Sequence, residues 1–165
     1  MSDSHDNMSN LAKAVRLFNE GNLRYVLHAG DFTTDATFRV LRDLKAEFIG
    51  VFGNNDGGML TPGDAGPLII DNQWRTHGRI YRQPHEFTIG NRRFAMIHEH
   101  FDVDAIAQSG RCDCLIYGHT HRPEAVVRNG TYVLNPGELC GWLHGSATVA
   151  VIDTQSMVAR IIGLD

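Results

Sequence analysis

Four short apolar runs in this chain each stop abruptly at a polar cluster, and the clusters share one small vocabulary. Tyr25-Val26-Leu27 gives way to Gly30-Asp31, and Phe48 to Phe52 gives way to Gly53-Asn54-Asn55-Asp56. Met96-Ile97 runs into His98-Glu99-His100, and Leu115-Ile116-Tyr117 into Gly118-His119-Thr120-His121, while a related cluster, Asp3-Ser4-His5, opens the chain. Short apolar runs bounded in this way are buried strands, and in an α/β sheet the carboxyl ends of neighbouring strands share one edge, where ligands bind. Five loops spread over most of the sequence can therefore bring their side chains to one place.

The segments between the runs set the fold class. Leu11, Ala14, Val15 and Phe18 follow the i, i+3, i+4, i+7 spacing of an amphipathic helix, which Gly21 ends. A second helix is expected over Asp35 to Leu44, so the first strands alternate with helices and predict a parallel, right-handed crossover sheet. Later strands are expected at Arg92 to Ile97, Cys114 to Tyr117, Thr131 to Leu134, Ala147 to Ile152 and Val158 to Ile162. Their short, turn-rich connections predict antiparallel pairs. Between Gly57 and Pro84, Pro62, Gly63, Gly66 and Pro67 mark a loop, and Leu68 to Ile80 is expected to be a helix. The pattern predicts an α/β fold of two packed sheets with helices outside, as a single domain over residues 1–165.

Composition removes several classes of function. A net charge of −4 leaves no basic field for holding a nucleic-acid backbone, so nucleic acid is not expected except as a substrate. No apolar stretch approaches the roughly 18 residues of a membrane span, and MSDSHDNMSN holds no secretory core, so the expected location is cytoplasmic. Cys112, Cys114 and Cys140 suit a reduced compartment better than a disulfide framework, and no second Cys pair completes a thiolate zinc site. No serine or cysteine stands in a nucleophile elbow or triad context.

Carboxylate, imidazole and amide oxygen are instead ligands for a pair of hard-to-borderline divalent ions such as Mn, Ni, Fe, Zn or Mg. The D-x-H and H-x-H spacings matter because alternate side chains of an extended segment point the same way. Two divalent ions bring four positive charges and two aspartates remove two. The remainder can hold an anionic phosphate and lower the pKa of a bound water to about 7.

In order and spacing these blocks resemble the calcineurin-like metallophosphoesterase superfamily, in particular its small prokaryotic phosphodiesterase branch. SDSHDN is similar to that family's D-x-H block, HAGD to G-D, and GNND to G-N-x-D. IHEH stands where H-G-x is usual, and YGHTHRP followed by NPGE is similar to the GHTH and N-P-G blocks. The resemblance covers essentially the whole chain and implies a four-layer α/β/β/α sandwich. It further implies that Asp3, His5 and His121 bind one metal, that Asn54, His98 and His119 bind the other, and that Asp31 bridges them. The implied activity is hydrolysis of a small phosphodiester or phosphomonoester by a metal-bridging hydroxide, with Mn²⁺ the expected metal and a homo-oligomer the expected assembly. Asn54 would also hydrogen-bond a phosphate oxygen.

The chain departs from the family pattern at three places. Asn55 stands where larger relatives carry a histidine that protonates the leaving group, which makes His100 a candidate general acid and activated diesters the better substrates. Glu99 replaces a usual glycine. The family's first strand precedes the D-x-H block, whereas Asp3 lies two residues from the chain start, so Asp3 and His5 are expected to be loosely held beside two unpaired strand edges. These departures keep a second reading open, a weakly active protein-binding scaffold like the retromer subunit that resembles the family. That subunit has asparagine in place of the first-motif histidine, and His5 favours the enzyme. The isolated His28, His77, His85 and His144 are not expected to be ligands.

Overall fold

The structure, a computed structural model, describes residues 1–59, 68–70 and 78–164. Helix α1 (Met8–Glu20) starts where the Asn7 side chain accepts a hydrogen bond from the Asn10 amide, and it buries Leu11, Ala14, Val15 and Phe18 along one stripe. With α2 (Ala36–Leu41) it covers one face of the first sheet. In that sheet β1 (Tyr25–His28) and β2 (Glu47–Val51) are parallel, β4 (Gly78–Tyr81) is parallel to β2, and β3 (Leu68–Ile70) closes the edge antiparallel to β4.

The second sheet has five strands in the order β5-β6-β7-β9-β8. These are β5 (His85–Ile89), β6 (Arg92–Met96), β7 (Cys114–Ile116), β8 (Glu124–Arg128) and β9 (Thr131–Asn135). Helix α3 (Val103–Gln108) packs Val103 and Ile106 on its outer face against Leu115 and Val133. Phe94, Met96, Ile116 and Leu134 turn the other way and meet Ala29 and Val51 of the first sheet. Three apolar interfaces thus separate four layers, helix, sheet, sheet and helix, as the sequence pattern predicts.

Three expectations fail, two in the strands and one at the chain start. Leu68 to Ile80 does not form one helix: Leu68–Ile70 and Gly78–Tyr81 are paired strands, and residues 71–77 lie outside the described residues. Ile69 and Ile70 are β-branched, and the ladder that β4 forms on β2 offers them a partner edge that outweighs a weak helical spacing. The second half is also less antiparallel than expected. β6, β7 and β9 run parallel, because α3 carries the chain back between β6 and β7, while β5 and β8 pair antiparallel at the edges.

The chain start is held, against expectation. Met1 donates to the Leu27 carbonyl at 2.8 Å and its own carbonyl accepts from Ala29 at 3.0 Å, the pattern of a parallel strand laid beside β1. On its other side Ser2 and Asp3 accept from the amides of Leu139 and Cys140. Asp3 is fully buried as a result. β1 is an edge strand, and β10 (Thr148–Asp153) pairs only with β11 (Val158–Gly163) among the described residues. Between them lies a cavity of about 320 Å³, edged by Tyr25, Leu27, Ala150 and Ile152 and closed by Phe18 and Phe94. No helix among the described residues is long and apolar enough to cross a membrane.

Candidate metal centre

The loops after β1, β2, β6 and β7 meet the Asp3–His5 segment at one edge of the two sheets. Close approach is possible because glycines stand at the crossings. A Cβ on Gly30, whose φ is +92°, would lie 2.7 Å from His98 Nδ1 and 2.8 Å from the Gly53 amide. A Cβ on Gly53 would run into the Asp31 carboxylate. Asp3, His5, Asp31, His119 and His121 all adopt φ between 41° and 67°, the left-handed region that costs ordinary residues on the order of 1–2 kcal/mol each. Such strain persists only where surrounding bonds over-determine the backbone.

Asp3, His5 and His121 form one cluster of donors close enough to share an ion. Asp3 Oδ1 lies 3.3 Å from His121 Nε2 and 4.0 Å from His5 Nε2. His121 donates its Nδ1 proton to Glu138 at 2.7 Å, which leaves Nε2 as a bare lone pair facing Asp3. His5 is oriented by Thr33, whose hydroxyl lies 3.3 Å from Nδ1. Its Nε2 is the one buried side-chain polar atom without a hydrogen-bond partner among the described residues. A buried imidazole nitrogen that faces two carboxylates without a hydrogen bond is what a cation ligand looks like before the cation is counted.

The second cluster sits beside it. His98 Nδ1 bonds the Ala29 carbonyl at 2.7 Å, so Nε2 faces Asn54 Oδ1 at 2.9 Å and Asp31 Oδ1 at 3.4 Å. His119 Nδ1 reaches the same Asn54 oxygen at 2.9 Å. Asp31 stands between the clusters, with Oδ2 3.5 Å from His5 Nε2 and Oδ1 toward His98. Burial opposes ionisation of Asp31, but the His98 ring and the Asn55 amide and side chain outweigh it, so the carboxyl is held well below its ordinary range. Burial likewise opposes a charge on His98, and Asp31 and Asp3 together overcome it and raise its pKa. The donors demand positive charge, and their types and free lone pairs fit divalent ions.

All seven expected ligands are therefore brought together. His100 is exposed and stacks on His119 with ring centroids 5.3 Å apart, at the rim. Glu99 is half-buried beside Gln83. His28 is fully buried against Phe32 and bonds the Ser4 hydroxyl and the Gly30 amide, packing behind the site rather than among its donors, and His85 stacks on Tyr81; His77 lies outside the described residues.

Four residues whose roles the sequence did not disclose build the site's frame. Asp56 accepts from the amides of Asp31, Thr33 and Gly53, tying two loops together. Asn55 binds both oxygens of Asp31, so its departure from histidine makes it a support rather than a proton donor. Asn135 bonds the Gly118 carbonyl and Thr120, fixing the turn that carries His119 and His121. Glu138 is buried under His121. The signal was present in each case, as a polar residue adjoining a matched block, but its partners were not. Glu138, His121 and Cys140 also lie close enough to share an ion. Burial and the Glu138 carboxylate push the Cys140 thiol up to about 12, however, so it stays protonated and is a poor ligand.

Comparison with known proteins shows the family. The family model for the calcineurin-like phosphoesterase superfamily domain matches residues 1–157. A phosphodiesterase of Methanocaldococcus jannaschii is 32% identical over 170 aligned residues, which take in 100% of this chain and 97% of that protein. The solved structure of an archaeal phosphodiesterase superposes with a TM-score of 0.86 at 31% identity, covering 99% of this chain and 96% of that one. Vps29 of Chaetomium thermophilum superposes with a TM-score of 0.68 at 17% identity, over 99% of this chain and 92% of that one, a likeness of fold.

Proposed function

Because the chain belongs to the calcineurin-like phosphoesterase superfamily and is a hydrolase of that kind, we propose that it is a dinuclear metal-dependent phosphodiesterase acting on small phosphodiesters. The observation that carries this reading is the placement of one depressed carboxyl, Asp31, between two adjoining sets of nitrogen and oxygen donors. Asp3, His5 and His121 would hold one ion and Asn54, His98 and His119 the other, with Asp31 within reach of both sets. Manganese is the proposed metal, since the donor set is carboxylate, amide and imidazole without thiolate. When bound, the two ions supply Lewis acidity at the phosphoryl oxygens and an activated hydroxide for in-line attack.

The chain's own residues do the rest. Glu138 and the Ala29 carbonyl hold the Nδ1 atoms of His121 and His98, so that their Nε2 atoms face inward. Asn54, exposed at the mouth of the site, offers its amide N–H groups to a phosphate oxygen. His100, exposed beside His119, is the residue placed to return a proton to the departing alkoxide. Trp142 stacks at 5.9 Å from His5 and Phe101 lies 6.1 Å from His119, giving flat apolar surfaces on both flanks. A diester has an organic group for each flank, and a monoester has one. The complete donor set, His5 included, favours hydrolysis over the scaffold reading.

The test is to strip the protein with chelator, add back Mn²⁺, and follow hydrolysis of bis(p-nitrophenyl) phosphate with Asp31→Asn as control. Metal-restored turnover that disappears in the variant is expected. A folded protein that turns over nothing with Mn²⁺, Ni²⁺, Fe²⁺ or Zn²⁺ overturns the proposal.

A further inference from the structure

Glu138 is a fully buried carboxylate whose partners lie on two sides of the site. Toward the donors it accepts from His121 Nδ1 at 2.7 Å. Away from them it accepts from the Leu143 amide at 3.0 Å and the His144 amide at 2.6 Å, and the Cys140 thiol lies 3.3 Å from the same carboxylate. The residue just before those two amides is Trp142, whose ring lies over His5 with an interplanar angle of 28°. One carboxylate therefore touches both a donor of the first cluster and the backbone that carries the aromatic wall above it.

We infer that Glu138 is a positioning residue that couples the first metal cluster to the 141–145 loop, aiming His121 Nε2 inward while holding Trp142 beside His5. The inference rests on the reading that Asp3, His5 and His121 hold an ion. Its physical basis is the number of donors served. A carboxylate accepts several hydrogen bonds at once and is strengthened by its charge, whereas a neutral amide in its place meets the same donors with an N–H of its own. The loop contributes little else to hold itself: Trp142 and Leu143 are exposed, 64% and 68%. With the Glu138 acceptor removed, nothing among these bonds keeps the indole near His5, and His121 is free to take the other tautomer and turn its proton toward Asp3.

The coupling is tested without turnover. The chain has two tryptophans, so a Trp74→Phe background leaves Trp142 as the reporter. In that background Mn²⁺, a paramagnetic quencher, is expected to quench Trp142 emission on binding. In Glu138→Gln, calorimetric Mn²⁺ affinity is expected to fall by roughly 10- to 100-fold, and the quenching at saturating Mn²⁺ to fall with it. Glu138→Asp, which keeps the charge on a shorter arm, is expected to restore part of both. A folded Glu138→Gln protein with the parent's affinity and quenching overturns the inference. Should that variant not fold, ¹⁵N spectra of the unaltered protein decide: His121 protonated at Nδ1 supports it, and His121 protonated at Nε2 overturns it.

Discussion

The two sheets supply opposite halves of one site from unequal supports. The second sheet contributes His98, His119 and His121 from the ends of β6 and β7, strands paired on both sides in an unbroken ladder. The first contributes Asp31 and Asn54 from β1 and β2, together with the Asp3–His5 segment, and there β1 looks across a cavity of about 320 Å³ toward β10. The carboxylate half is thus held by loop-to-loop bonds through Asp56, Asn55 and residues 139–140, where the imidazole half is held by the sheet itself. Loops can be over-determined as tightly as a sheet, but each bond in them matters more.

Four measurements break or sharpen that contrast. The largest effect belongs to the site. His98→Ala, on the complete sheet, is expected to fold like the parent and to weaken metal binding by more than the roughly 100-fold that loss of a supporting partner costs. Asp56→Ala, which removes no ligand, is expected to do comparable harm because it unties the Asp31 loop, as metal titration of both variants would show. Next come the cores. Leu115→Ala, fully buried in β7, is expected to cost about 2–5 kcal/mol in urea unfolding. Leu27→Ala, half-buried at the cavity, is expected to cost less than about half of that, since the space beside it is already open.

A pH dependence comes third. His28 is fully buried, and burial, aided by the chain's amino terminus and His98, lowers its pKa well below the ordinary 6.5. The unfolded chain therefore takes up a proton that the folded chain refuses. Its contribution is complete above pH 6.5 and is lost as pH falls from there toward the folded-state value, by up to roughly 1.4 kcal/mol per pH unit. Urea midpoints between pH 5 and 7 should slope accordingly, and His28→Gln should flatten them. The smallest effect is a gain: Ala150→Val, which fills part of the cavity from β10, is expected to add about 0.5–2 kcal/mol, read by the same unfolding.

What could be read from sequence divides along the same line. The ends of β1, β2, β6 and β7 were legible because each apolar run stops at Gly-Asp, Gly-Asn or a histidine pair, and a strand end is a local event. The seven expected donors, which the resemblance to the family implied block by block, lie at those strand ends and the Asp3–His5 segment. Glu138, Asp56 and Asn135 were not legible in role, because a supporting carboxylate or amide is defined by what it touches, and those partners come from distant loops. The strand at Leu68–Ile70 was missed for a related reason: its ladder partner is β4, and three apolar residues carry no period of their own. The chain start was misjudged in the opposite sense. Asp3 is firmly held, because Ser2 and Asp3 are gripped by residues 139 and 140 on one side and Asp3 by the β1 loop on the other.

Whether Asp31 joins two ions in one site is decided by electron paramagnetic resonance of the Mn²⁺-loaded protein. Two Mn²⁺ per chain are expected by metal analysis, with the broadened spectrum of an exchange-coupled pair. Asp31→Asn should lose the coupling. A single Mn²⁺ per chain giving an isolated six-line spectrum, unchanged in Asp31→Asn, would contradict the joining of two ions by Asp31.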